Sequence, residues 1–384
     1  MIQALKFKLE RIITNFYLIL LMTVTPGFSV VSLPAIYSSN TSAVTLDEPV
    51  PVLAYYYIWF DETSWNRAKV DYPLLGRYSS DDAEVMRQHI LWAKDAGIDG
   101  FIVSWKSTEK LNRRLEQLAE IAAQESFNLV IIYQGLDFYR DPLGVDQIDS
   151  DLDYFIDNYS NHAAFKLFEK PVVIWSGTWE FSREEIQAVT ESKRDQLLIL
   201  ASEKNTKGYQ RLADLVDGNA YYWSSVNPAT FPGYVEKLTE MSEAIHANNG
   251  LWIAPAASGF DARLVGGTTV VERQDGKTLQ IEMNAALQSN PDAIGLISWN
   301  EFSENSHIEP SVNYGNDYLQ ILKDIQHTPV PEINEFDSSM PGSIQGDFSV
   351  SRLIAMVLLT GLFLISLTII VLRTNLTNNK DGET

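Results

Sequence analysis

The sequence predicts an α/β fold, a (β/α)8 TIM barrel, within residues 50–328. From about residue 50, short apolar segments alternate eight times with amphipathic stretches, which is the pattern of strand–helix units around a parallel sheet. These units occupy about 280 residues, the usual size of such a barrel. An open doubly wound sheet would normally carry a Gly-rich turn after its first strand, and none is present.

The eight expected strands are apolar on both faces, as strands buried in a parallel sheet are. The fifth and sixth have the weakest patterns. In chain order the strands are expected at 52–59, 98–105, 129–134, 171–177, 196–202, 215–223, 250–256 and 293–300.

Helices are expected between these strands. The first stretch, DDAEVMRQHILWAKDAG, begins with acids and ends at Gly97, as capped helices do. Asp81 and Glu84 have the spacing of a capping box, and His89, in mid-helix, is expected to be structural. Further helices are expected in LNRRLEQLAEIAAQ, DLDYFIDNY, REEIQAVTES, FPGYVEKLTEMSEAIHANNG and TLQIEMNAALQS.

The N-terminal residues have the order of a secretory signal. Lys6, Lys8 and Arg11 precede the apolar run FYLILLMTV, which Pro26 and small residues follow. Residues 1–35 are therefore expected to be a signal peptide or an uncleaved signal anchor, with residues 36–49 as a linker.

The C-terminal residues predict a membrane anchor. No charged residue lies between Leu353 and Leu372, and a helix of that length crosses the hydrocarbon layer. We expect a stalk at 329–351, a transmembrane helix at 352–373 and a short tail at 374–384. The lipid bilayer is then a partner through this helix, and the barrel of a single-pass cell-membrane protein lies on the extracytoplasmic side.

Composition excludes several classes of function. The formal net charge of −21 argues against a nucleic-acid partner. The chain has no cysteine and no GxSxG turn, and its five histidines show no pair at ligand spacing, so we expect neither a metal nor a cofactor.

Two acids follow the eighth strand, in the stretch GLISWNEFSENSHIEPS. Active sites of such barrels form on the loops after the carboxyl ends of the strands, which places Glu301 and Glu304 at that rim. Acetal hydrolysis needs two carboxyl groups with separated pKa values. The pair therefore predicts a catalytic site, although two glutamates three residues apart can also decorate a turn.

Other polar residues near strand ends compete for roles in the site. Glu180 is the best rival acid, ahead of Asp137, Asp61 and Glu62. Glu309 is expected to make a structural hydrogen bond, and His307 either binds sugar or supports its loop. A rim of aromatic rings suits the apolar faces of pyranoses, although any single tryptophan is more often a packing residue. This rim consists of Trp59, Trp105, Trp175, Trp179, Trp223 and Trp299.

The stretch SWNEFSENSHIEPS resembles the SFNEWHEGTQIEPS type of segment in glycoside hydrolase family 99, the endo-alpha-mannosidase and endo-alpha-mannanase family. Residues 71–105, 154–165 and 259–292 are similar to further segments, so the resemblance covers roughly 50–326. It implies a retaining α-glycosidase acting on a glycan or polysaccharide. Glu301 then takes a proton from the sugar 2-hydroxyl, which forms a 1,2-anhydro sugar, and Glu304 is the acid/base.

The chain departs from the family pattern near these acids. Phe302 and Ser303 replace Trp-His, Asn305 replaces Gly, and IIYQGLDF has no clear equivalent of the strand-three HIEP acid. We expect these differences to change the glycan rather than the chemistry. Further substrate contacts are expected from Tyr57, Tyr78, Tyr133, Gln134, Asp137, Asn300 and His307.

Two functions follow from these predictions. The first is a membrane-tethered glycosidase that acts on an extracellular glycan. The second is a non-catalytic carbohydrate-binding protein of the cell envelope, built on the same barrel. Retention of two neighbouring carboxyl groups favours the enzyme, because a binding protein gains nothing from their mutual repulsion.

Overall fold

A computed structural model describes residues 50–327 and contains an eight-stranded parallel sheet, in agreement with the predicted barrel. All eight predicted strands are present, most of them shorter than expected. A small antiparallel pair, β8 and β9, is inserted before the last barrel strand. The strands are β1 Val52–Tyr57, β2 Gly100–Trp105, β3 Asn128–Gln134, β4 Val172–Ser176, β5 Leu198–Leu200, β6 Gly218–Ala220, β7 Leu251–Ala257, β8 Phe260–Asp261, β9 Val270–Val271 and β10 Ala293–Ile297.

The sheet closes at two seams. The first strand pairs with both β2 and β10. The other seam joins β5 and β6 around Ala201, whose N–H donates to the Gly218 carbonyl (3.0 Å) and whose carbonyl accepts from the Ala220 N–H (2.8 Å). Each of these strands has only three residues, which explains why their sequence patterns are weak.

Eight α-helices surround the described part of the sheet. Six match the predicted stretches, whereas α5 and α8 lie outside the predicted set. The helices are α1 Ala83–Asp95, α2 Glu109–Gln124, α3 Val145–Tyr159, α4 Arg183–Thr190, α5 Thr206–Leu212, α6 Tyr234–His246, α7 Lys277–Gln288 and α8 Asp317–His327. Short 3-10 helices occupy Glu62–Asn66, Ala163–Phe165, Thr178–Glu180, Ala262–Val265 and Gln274–Gly276.

The predicted cap of α1 is wrong by one residue. The Asp82 carboxylate caps this helix, accepting from the Glu84 N–H (3.0 Å) and the Val85 N–H (3.4 Å). Asp81 instead lies 2.6 Å from the guanidinium of the fully buried Arg114. Within residues 50–327, the carboxylates that pair with Arg114 are those of Asp81 and Asp61. The pair with Asp81 links the start of α1 to α2.

Alternate residues along each strand pack into two different apolar layers. On β1, Leu53 and Tyr55 belong to the cluster inside the barrel, and Ala54 and Tyr56 belong to the cluster between the sheet and the helices. Because both faces are buried, the strands lack polar alternation. The sequence therefore does not show which strand residues face the barrel interior.

Within residues 50–327, no helix is long and apolar enough to cross a bilayer. The predicted signal segment (1–35), linker (36–49), stalk (329–351), transmembrane helix (352–373) and tail (374–384) lie outside the described residues.

Candidate active site

Glu301 and Glu304 lie on a hydrogen-bonded turn directly after β10. The Glu301 N–H donates to the Ser298 hydroxyl (2.9 Å), and the Glu301 carboxylate accepts from the Ser303 N–H (2.9 Å). The Glu304 carbonyl accepts from the Asp261 N–H (2.7 Å). Glu301 is only 6% exposed and Glu304 is half-buried, so the turn places both carboxyl groups in a largely dry environment.

Burial raises the pKa of both acids, and the charge of Glu304 adds to the shift of Glu301. Desolvation and then the charge of Glu304 raise the pKa of Glu301 to about 7, although Ser303 and Lys69 oppose the shift. Desolvation also raises the pKa of Glu304, against the charge of Arg140. A carboxyl group whose pKa lies near neutral pH can exchange a proton with a substrate, as acid/base catalysis requires.

Two tyrosines complete the inner part of the site. Burial raises the pKa of the Tyr57 hydroxyl and of the Tyr222 hydroxyl far above their usual range, and the charges of Glu301 and Glu304 contribute to both shifts. Tyr222 packs edge-on against Tyr55 of the barrel interior, with ring centroids 5.0 Å apart. These contacts place both hydroxyls beside the carboxyl pair.

Sequence reasoning selected Trp223 and missed Tyr222. Ala220 belongs to the barrel interior, so the residue two positions further along faces the same way. This alternation would identify Tyr222 if the inward-facing positions of β6 were known. Because β6 has only three residues, its sequence does not show which positions face inward.

Four of the predicted substrate contacts have side chains that are exposed or only half-buried. Trp59 is 43% exposed and its ring lies 4.3 Å from the Tyr57 ring. Half-buried Gln134 donates to the Ser104 hydroxyl (3.0 Å). Half-buried Trp179 and Trp223 both contact the Tyr221 ring, at 6.2 and 6.4 Å. These side chains remain candidates for sugar contacts.

Three predicted substrate contacts are packing residues, which corrects the prediction. Trp105, Tyr133 and Trp299 are completely buried in the layer between sheet and helices. The Trp105 indole N–H donates to Asn112 (2.9 Å), and the Tyr133 hydroxyl donates to Asp151 (2.9 Å). The physical reason is strand alternation, which turns Trp105 and Tyr133 toward the helices.

Tyr78, Asn300 and His307 also differ from the prediction, because their side chains are buried and bonded to the protein. The Tyr78 hydroxyl donates to Glu309 (2.8 Å). Nε2 of His307 lies 3.2 Å from the Asp71 carboxylate, and its ring stacks on Phe302 with centroids 3.9 Å apart. Desolvation lowers the pKa of His307 to about 4. His307 therefore supports its loop, one of the two roles considered for it.

The rival acids do not gather at the site. Glu180 is exposed at the end of one 3-10 helix, and Glu62 is exposed at the start of another. Asp61 contacts Arg114 and Lys110, and Asp137 stabilises its own loop. Glu309 is buried, 3.1 Å from His89 Nε2, so it has the structural role expected of it, as does His89.

A cavity of about 630 Å³ is lined in part by Arg273, Asn305 and Tyr314. Neither Glu301 nor Glu304 lines it, and the position of the acids therefore defines the site better than this cavity does. Within the described residues, no group of three His, Asp or Glu side chains could hold a metal ion.

A closed parallel barrel with two desolvated carboxyl groups at the mouth, flanked by aromatic rings, defines a glycosidase of the TIM-barrel class. The model of glycosyl hydrolase family 99 matches residues 61–330, and the chain belongs to this family.

Relatives agree with this assignment. The chain is 23% identical over 337 residues to the glycoprotein endo-alpha-1,2-mannosidase of Rattus norvegicus, covering 72% of each protein. It is 26% identical over 270 residues to the protein of that name from Mus musculus, covering 63% of this chain and 56% of that protein.

Solved structures share the fold. A GH99 endo-alpha-mannosidase from Bacteroides thetaiotaomicron, in complex with bis-tris-propane, superposes with a TM-score of 0.65 at 21% identity, over 74% of this chain and 98% of that one. A glycoside hydrolase-like protein superposes with a TM-score of 0.59 at 18% identity, over 75% and 97% of the two chains. At these identities the superpositions support the fold alone.

Proposed function

We propose that this protein is a membrane-tethered glycosidase that cleaves α-mannoside-like bonds in an extracellular glycan with retention of configuration. The observation that carries the proposal is the desolvated pair Glu301 and Glu304 at the barrel mouth, in which burial raises the pKa of both carboxyl groups. The α-mannoside part of the proposal is supported by relatives that are endo-alpha-mannosidases. The segments that would direct and anchor the protein lie outside the described residues.

In the first step, Glu301 accepts the proton of the sugar 2-hydroxyl, and the 2-oxygen attacks the anomeric carbon. The bond to the leaving oxygen breaks while Glu304 donates its proton to that oxygen. The products are a 1,2-anhydro sugar and the released glycan.

In the second step, Glu304 accepts a proton from water, and the water oxygen attacks the anomeric carbon. The anhydro bond between that carbon and the 2-oxygen breaks, and Glu301 returns its proton to the 2-oxygen. Two inversions give net retention, and both acids return to their initial protonation states.

The free site favours a different proton position from the one this cycle needs. Burial and the charge of Glu304 raise the pKa of Glu301 to about 7, which favours its protonated form, whereas the first step requires Glu301 ionised. A bound 2-hydroxyl opposes this shift, because a hydrogen bond donated to a carboxylate stabilises its charged form and lowers its pKa. Substrate binding therefore favours the ionised Glu301 that the first step needs.

The alternative of a carbohydrate-binding protein without turnover accounts less well for this pair. Burying two acids beside each other costs free energy that a neutral hydrogen-bonding pair would avoid. The aromatic rings at the mouth serve either function, so they do not discriminate.

The test is glycan cleavage by the full-length chain, assayed on α-mannans, α-glucans and mixed glycans for newly formed reducing ends. We expect release from an α-mannoside substrate, with the first product seen by NMR in the α configuration. Glu304→Gln should lower release by roughly a thousandfold, and Glu180→Gln, which removes the exposed rival acid, should leave it unchanged. A wild-type chain that binds these glycans and releases nothing would favour the binding protein.

Participation of the 2-hydroxyl has its own test. A 2-deoxy analogue of a cleaved substrate lacks the oxygen that attacks the anomeric carbon, so it should not be hydrolysed. Hydrolysis of the 2-deoxy analogue through a covalent glycosyl–Glu301 or glycosyl–Glu304 adduct, detected by mass spectrometry, would contradict the anhydro route.

A further inference from the structure

The loop between β3 and α3 exposes two adjacent aromatic side chains. Phe138 is 88% and Tyr139 is 80% exposed, and within residues 50–327 no other large apolar side chain exceeds 66%. Their ring centroids are 5.7 Å apart and the rings are nearly perpendicular. Exposed apolar area costs roughly 25 cal/mol per Å², so this pair does not serve the stability of the barrel.

Hydrogen bonds within the loop order the backbone that carries these rings. One oxygen of the Asp137 carboxylate accepts from the Tyr139 N–H (2.8 Å) and the Asp141 N–H (3.0 Å). The Asp137 N–H donates to the Asp141 carbonyl (2.8 Å), and Leu136 pairs with Pro142 in an antiparallel bridge. Asp137, predicted to bind substrate, is therefore a positioning residue for the loop tip.

The tip stands on the rim that carries the two acids. Its loop leaves the carboxyl end of β3, as the catalytic turn leaves the carboxyl end of β10, and in a parallel barrel these ends lie at one opening. The charge of Arg140, the next residue along the tip, also lowers the pKa of Glu304 and of Tyr221. Among the described residues, Arg140 makes no ion pair.

We propose that Phe138 and Tyr139 form a distal subsite that stacks against a neutral sugar unit of the released glycan, beyond the bond that Glu304 protonates. The inference rests on the proposed function, because Glu304 marks the leaving-group side only if it is the acid. Pyranose C–H bonds can lie against an aromatic face. Arg140 can donate to a sugar hydroxyl from the same tip.

A sugar fits this site better than an acidic partner does. The tip carries two carboxylates, Asp137 and Asp141, and one cation, Arg140, so its net negative charge disfavours an anionic sugar or an acidic protein surface. The charge of Arg140 also reaches Tyr221, whose ring contacts Trp179 and Trp223. A glycan that leaves the site past Glu304 would therefore meet aromatic faces along its path.

The experiment compares the full-length wild type with the double variant Phe138→Ala/Tyr139→Ala on two probes. An α-1,2-linked mannotetraose reaches beyond Glu304, whereas α-mannobiosyl fluoride has a one-atom leaving group that does not. We expect the double variant to lose roughly tenfold in kcat/KM on the tetraose and nothing on the fluoride. The exchange variant Phe138→Tyr/Tyr139→Phe should behave as wild type, because both faces remain, and so should Leu91→Ala, which trims an exposed side chain of α1.

Equal losses on both probes would mean that the substitutions disturb the catalytic turn, and no loss on either would mean that the rings do not contact sugar. Both results overturn the proposal.

If the wild type cleaves neither probe, the proposed function fails and the subsite is tested separately. Calorimetry on Glu304→Gln should then show about tenfold weaker tetraose binding when both rings are removed, and unchanged binding would overturn the subsite.

Discussion

Asn300 pairs with the backbone of Tyr57 through both ends of its side-chain amide, accepting from the Tyr57 N–H at 2.8 Å and donating to the Tyr57 carbonyl at 3.0 Å. Tyr57 is the last residue of β1, and Asn300 lies three residues after the end of β10, the strand that pairs with β1. The residue after Asn300 is Glu301, so the same pairing fixes the start of the catalytic turn.

Replacing Asn300 with alanine should therefore affect stability and catalysis together. Removing it leaves a buried N–H and a buried carbonyl of Tyr57 unpaired, which costs about 1–3 kcal/mol for each group. We expect the free energy of unfolding in urea to fall by about 2–5 kcal/mol, with a loss of kcat. The matched control is Asn313→Ala, whose amide makes an exposed bond to the Val70 carbonyl and should cost less than 1 kcal/mol. Similar costs for the two variants would contradict the closing role of Asn300.

The raised pKa of Glu301 predicts that Glu301→Gln is more stable than wild type at alkaline pH. The folded state holds this proton up to about pH 7, whereas the ordinary pKa is 4.5. Stability is therefore lost as pH rises from 4.5 through 7, by up to about 3 kcal/mol at 1.36 kcal/mol per unit. Glutamine has no charge to desolvate, so urea unfolding at pH 8 should show the gain and unfolding at pH 4.5 should not. A gain of the same size at both pH values would assign the effect to packing.

Glu304→Gln should lower the pKa of Glu301. The charge of Glu304 is the second cause of the raised value, after burial, so a neutral amide at this position should leave Glu301 easier to ionise. The pKa is measured from the ¹³C shift of the labelled Glu301 carboxyl during a pH titration. Glu180→Gln is the control, since that exposed acid lies away from the pair. An unchanged midpoint in Glu304→Gln would show that the two acids are not coupled.

His307 predicts a loss of stability in acid. Desolvation lowers its folded-state pKa from 6.5 to about 4, so the unfolded chain binds this proton first and stability falls as pH decreases from 6.5 to 4. The contribution is up to about 3 kcal/mol. His307→Gln keeps a donor toward Asp71 without titrating, and its unfolding free energy should change less over this range. His162→Gln, at a half-exposed histidine, should follow wild type. A steep acid loss retained in His307→Gln would assign it to other groups.

Much of the fold could be read from the chain because local patterns carry it. Eight apolar segments at regular spacing specify eight strands, and the stretches between them specify six of the eight helices, since burial and amphipathicity leave direct traces in composition. Helix α5 has only seven residues, which are too few to show a clear amphipathic pattern.

The sequence also determined where the acids would emerge, because an apolar strand that ends in Glu301 and Glu304 must deliver them to the barrel rim. It could not determine which aromatic residues face the opening. When both faces of a strand are apolar, nothing local distinguishes Tyr222, beside the acids, from Trp105 and Tyr133, which pack against helices. Only the closed barrel decides that, because its interior is defined by all eight strands at once.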